Sequence, residues 1–67
     1  MFRGLTGKRV VMNVSSEDAG FQGTVLEVRW FTVRLRDVTV LEPDGRQVTL
    51  PGIARFPRRS VTWIQEL

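Results

Sequence analysis

The chain contains no cysteine and no histidine. Without cysteine there is no disulfide staple and no thiolate metal site. Without histidine the commonest metal ligand and the commonest general base are both missing. Long apolar runs are absent as well. The stretch from Met1 to Met12 is interrupted by Arg3, Lys8 and Arg9. It reads as neither a signal peptide nor a membrane span, so a cytoplasmic setting is expected. No stretch keeps a helical period for ten residues. With 67 residues there is room for a single domain, 1–67, and one modest core. Burial contributes only ~25 cal/mol per Å². The monomer is therefore expected to be marginally stable or to gain support from neighbouring subunits.

What is present is a series of runs rich in Val, Thr, Phe and Trp, divided by turn residues at short intervals. The turn signals are Gly4 and Gly7, Ser15 to Gly20, Pro43-Asp44-Gly45, Pro51-Gly52 and Pro57. This pattern predicts a meander of short strands. The expected strands are Lys8 to Val14, Phe21 to Arg29, Thr32 to Leu41, Arg46 to Leu50 (with room to resume at Ile53 to Phe56) and Ser60 to Gln65. In the second, Leu26, Val28 and Trp30 alternate with Val25, Glu27 and Arg29, which assigns the first set to the apolar face. In the third, Val33 and Leu35 share one face while Val38 and Val40 fall in the opposite phase. A phase switch near Arg36-Asp37 is what a β-bulge or sharp bend produces. Pro51 and Pro57 lack a ladder donor, which places the last two strands where the sheet is open. Residues before Thr6 make at most a turn of helix. The expected fold is all-β: a small, strongly bent five-stranded antiparallel barrel with little or no N-terminal helix.

The chemistry-bearing residues point away from catalysis. Glu17, Asp18 and Asp44 fall in expected turns, where such residues are usual. Glu27 and Asp37 show no sign of a paired acid and base, and Ser15, Ser16 and Ser60 have no histidine partner. No enzymatic role, metal site, cofactor or small-molecule substrate is expected. Gly4-x-x-Gly7-Lys8 lacks the strand, helix and spacing of a phosphate loop and reads as a turn. The cations carry more information. Net charge is +3, and nine of the ten basic residues are arginines. The arginine fork suits phosphate and carboxylate. Arg34 and Arg36 share one face of the third strand and read most simply as a solvated face. Arg55, Arg58 and Arg59 cluster around Pro57, next to a loop, where function concentrates. Trp63, beside Val61 and Ile64, reads as core. Trp30-Phe31 sits at a tight strand junction that is hard to bury, which leaves an aromatic free for a partner.

Taken in order, these segments resemble the Sm-like (LSm) family. Leu5-Thr6-Gly7-Lys8-Arg9-Val10-Val11-Met12 resembles the family's entry into its first strand, and Phe21-Gln22-Gly23-Thr24-Val25 the start of its second. Val33-Arg34-Leu35-Arg36-Asp37-Val38 resembles its third strand, Asp44-Gly45-Arg46 the following hairpin, and Phe56 through Ile64 the last loop and closing strand. The resemblance implies a bent five-stranded barrel whose subunits join into a homo-oligomeric ring through strands four and five. It also implies RNA bound by the loops before strands three and five. The sequence departs from the family at the base pocket. The usual Asp and Asn are replaced by Trp30-Phe31-Thr32, the usual Arg-Gly by Pro57-Arg58-Arg59-Ser60, and there is no Tyr or His. The expected function is a ring-forming module binding RNA or other single-stranded nucleic acid, with no membrane partner. Arg58 and Arg59 hold phosphates with Arg55 nearby, and bases stack on Trp30 or Phe31. Two alternatives stand beside it. One is an assembly module that oligomerises or docks a protein through its edge strands without nucleic acid. The other is a monomeric SH3-like accessory domain for nucleic acid.

Overall fold

A computed structural model describes residues 1–67 and contains five strands. They are β1 (Arg9–Val14), β2 (Gly20–Val28), β3 (Thr32–Leu41), β4 (Gln47–Pro57) and β5 (Val61–Glu66). One short 3-10 turn, Arg58–Ser60, links β4 to β5. All pairings are antiparallel, and the sheet order is β4-β3-β2-β1-β5. The all-β fold expected from the turn spacing is what forms. It forms as a bent open sheet and not a closed barrel, because β4 and β5 are its two edges and do not pair with each other. Both prolines, Pro51 within β4 and Pro57 at its end, lie on this edge strand, where proline is tolerated.

The bend is produced at one line across three strands. On β2, Gly23 is buried against β3: a Cβ there would lie 3.0 Å from the Arg36 carbonyl oxygen and 3.2 Å from both Leu35 Cβ and Val38 Cγ2. On β3, register is lost between Arg36 and Val38, and Asp37 takes a left-handed φ of 52°. On β4, pairing passes from Leu50 to Ile53, and Gly52 between them has φ 75°. The extra residue at Asp37 restores the phase of β3. Val33, Leu35 and Val38 consequently all reach the interior with no exposed surface. The break expected at Pro51-Gly52 is thus a kink inside one continuous strand.

The core gathers Val10, Met12, Val25, Val33, Leu35 and Val38 as its most enclosed side chains. Phe21 and Phe56 meet edge to face with centroids 5.0 Å apart. The segment before β1 makes turns and contributes Phe2 and Leu5 to the core. It is tied to β2 by Gly7 N–H to Val25 O (2.7 Å) and Val25 N–H to Lys8 O (3.0 Å). Truncating Leu35, which is fully enclosed, removes contacts on every side and costs about 2–5 kcal/mol.

Two expectations about faces are corrected. Alternation puts Leu26, Val28 and Trp30 on the apolar face of β2, yet Val25 is the core residue, Leu26 and Val28 are half-buried, and Trp30 is exposed. A register slip between Val25 and Glu27 breaks simple alternation there. Trp63, expected in the core, is 47% exposed. It lies on β5, whose outer side has no neighbouring strand.

Candidate nucleic-acid interface

The β2–β3 connection is as short as a hairpin allows. Arg29 N–H donates to Thr32 O at 2.8 Å, which leaves only Trp30 and Phe31 at the apex. Two-residue hairpins favour Asn-Gly and similar pairs because the favoured turns need positive φ. Here neither apex residue has positive φ, and both carry bulky rings. Trp30 is 87% exposed and Phe31 83%. Such a tip contributes nothing to the core and leaves two adjacent aromatic side chains in solvent.

The β4–β5 connection comes up beside this tip. Arg58 N–H donates to Phe31 O at 2.8 Å. The Arg58 side chain reaches further: its Nη1 donates to Arg29 O at 3.0 Å, and its guanidinium carbon sits 5.0 Å from the centre of the Phe2 ring. The Arg59 side chain is exposed and makes no hydrogen bond or ion pair within the chain. Trp30, Phe31, Arg58 and Arg59 together line one open hollow of about 380 Å³. Four of the five residues expected to form the site are therefore in one place. Arg55 is apart from them, exposed on β4 opposite Arg34.

Three neighbours shape the charge. Glu27 Oε2 accepts from Arg29 Nη2 at 3.0 Å, and its Oε1 lies 3.1 Å from Arg34 Nε without the alignment of a hydrogen bond. The Arg29 hydrogen bond, aided by the charges of Arg29 and Arg34, holds Glu27 below the ordinary carboxylate range. The same bond raises Arg29. Glu27, Val28, Arg29, Trp30 and Arg58 border a second hollow adjoining the first. The alternation of antiparallel strands puts the β1–β2 and β3–β4 connections at the other end of the sheet, where Glu17, Asp18 and Glu42 line an acidic hollow. One end is thus basic and aromatic, the other acidic.

The participation of Glu27, Arg29 and Phe2 was missed in the sequence. For Glu27 and Arg29 a signal exists: opposite charges two apart on one strand share a face. For Phe2 there is none, because its contact with Arg58 spans nearly the whole chain. No group of three or more His, Cys, Asp or Glu side chains is placed to share a metal ion, and no helix is long and apolar enough to cross a membrane. No protein-family model matches the sequence, and no curated protein matches it.

Proposed function

We propose that the chain is a ring-forming Sm-like module that binds single-stranded nucleic acid, RNA above all, at the Trp30–Phe31 tip. One observation carries this reading: two neighbouring rings, each more than 80% exposed, stand beside the loop arginines Arg58 and Arg59. Base stacking on an aromatic side chain contributes about 1–3 kcal/mol per base and tolerates any sequence. Arginines supply phosphate attraction, and the acidic far end steers a polyanion toward the basic one. The two sheet edges support assembly. Ile53 on β4 is 55% exposed and Trp63 on β5 47% exposed. Joining β4 of one copy to β5 of the next continues the sheet and covers both edges. A ring then repeats the tip once per subunit, which raises the effective affinity for one strand. The same edges support a second reading, an assembly module without nucleic acid.

The test uses Trp30 as its own reporter. In a Trp63→Phe background Trp30 is the sole tryptophan. Titration with a short oligouridylate is expected to quench its emission, with affinity falling steeply as salt rises. Replacing Trp30 and Phe31 together by Ala, with binding now read from the anisotropy of a dye-labelled oligouridylate because the variant has lost its reporter, is expected to weaken binding by roughly 5- to 150-fold, the equivalent of about 1–3 kcal/mol for one stacked base. Affinity unchanged by salt, or equal in the double variant, contradicts the proposal. An oligomer that binds no oligonucleotide favours the assembly module.

A further inference from the structure

We infer that Arg58 is a positioning residue that clamps the aromatic tip, and that Arg59 is the phosphate contact. This rests on the nucleic-acid reading above but divides the labour of two adjacent arginines that the sequence treats alike. The observation is a set of two hydrogen bonds and one ring contact made by a single residue. The Arg58 backbone N–H holds Phe31 O at 2.8 Å, its Nη1 holds Arg29 O at 3.0 Å, and its guanidinium covers the Phe2 ring at 5.0 Å. The two carbonyls bracket Trp30. Phe2 beneath is itself buried in the core, so the clamp is anchored to the body of the domain.

The tip needs such a clamp. It has one hydrogen bond across its base and no residue of positive φ to favour a tight turn. Two large exposed rings have no packing of their own to hold them. Fixing the backbone on both sides of Trp30 orders the stacking platform before a base arrives. Each side chain that must otherwise be ordered on binding weakens affinity by roughly two- to tenfold. The Arg58 guanidinium is already held by the Arg29 carbonyl and the Phe2 ring, so its position is set within the chain. Arg59 gives up nothing, because its side chain is exposed and unpaired. Lysine is a poor substitute for Arg58 in this role, since a single compact ammonium does not span the Arg29 carbonyl and the Phe2 ring as the extended guanidinium does.

The experiment places Arg58→Met, Arg58→Lys, Arg59→Met and Arg59→Lys in the Trp63→Phe background. Two quantities are read: the dependence of oligouridylate affinity on salt, and the fluorescence anisotropy decay of Trp30 without nucleic acid. Both Arg58 variants are expected to bind roughly two- to tenfold more weakly, with the parental salt slope and a more mobile Trp30. Arg59→Met is expected to lose about 0.7 from the slope with Trp30 order intact, and Arg59→Lys to restore the slope. Recovery of binding in Arg58→Lys, or a slope reduced by about 0.7 in Arg58→Met with Trp30 order unchanged, makes Arg58 a phosphate contact and overturns the clamp. If the parent binds no oligonucleotide, the proposed function fails on its own, and the anisotropy still decides the clamp: unchanged Trp30 order in Arg58→Met overturns it. Should Arg58→Met not fold, Phe2→Leu keeps the core filled, removes the ring under Arg58, and is expected to loosen Trp30 as well.

Discussion

Gly23 is the point where the bent sheet is tightest, and two glycines on the same strand make the bend testable. A Cβ at Gly23 would meet the Arg36 carbonyl oxygen at 3.0 Å and two core carbons at 3.2 Å. Ordinary separations are about 3.5–4.0 Å. The carbonyl cannot rotate aside, because β3 is held between β2 and β4. Overpacking of this kind costs about 1–3 kcal/mol. Exchanging Gly for Ala in a strand recovers about 0.5–1 kcal/mol from the unfolded chain. Gly23→Ala is therefore expected to lose about 1–2 kcal/mol net. Gly20→Ala, also on β2, meets nothing closer than 3.8 Å, an ordinary contact, and keeps only the gain. The difference between the variants isolates the clash. In a domain this small about 1 kcal/mol moves Tm by about 4–8 °C, so a thermal melt or urea titration followed by tryptophan emission resolves it. Equal stability of the two variants would refute the close approach of β2 to β3.

Other outcomes follow from the same structure. Asp37→Ala is expected to lose about 1 kcal/mol, because a left-handed residue with a bare Cβ is strained, while Asp37→Gly matches the parent in a urea titration; the exposed Arg36–Asp37 ion pair contributes little either way. Glu27 has a folded pKa below its ordinary 4.5, so its stabilising contribution is complete above that value and is lost as pH falls through the lower folded one. The stability gap between parent and Glu27→Gln is therefore expected to be open at neutral pH and to close in acid, and a gap independent of pH would contradict the ion pair's role. Light scattering after nuclease treatment is expected to give one discrete oligomer. Ile53→Asp, a charge placed on the exposed β4 edge, is expected to shift it toward monomer and to make Tm depend less on protein concentration.

The strands were legible because each depends on local signals. Turn residues fall between β-branched and aromatic runs, and the resulting boundaries agree with the structure within a residue or two except in β4. There Pro51-Gly52 carries the usual signature of a break. The strand continues because β4 is an edge and Gly52 can take positive φ inside it. The bulge at Arg36-Asp37 was legible from the phase of Val33, Leu35, Val38 and Val40. The slip after Val25 was not, since Leu26 and Val28 look equally apolar on paper. Trp63 looked like core because its neighbours are apolar; only the sheet order shows that β5 has an open side. Of the site, both loops were legible as residue clusters. Their meeting was not, because it depends on the bond from Arg58 to Phe31 and on Phe2 folding back from the chain start, which no periodicity encodes.

The most direct test of binding at the tip is ultraviolet crosslinking of the chain to oligouridylate, followed by tryptic digestion and mass spectrometry. Cleavage after Arg29 and Arg34 releases Trp30 and Phe31 in a five-residue peptide, while Trp63 emerges in a separate peptide beginning at Ser60. The nucleotide adduct is expected on the first peptide, and to disappear when salt is raised enough to abolish binding. An adduct confined to the Trp63 peptide, or none on the tip under conditions that saturate binding, would contradict the account.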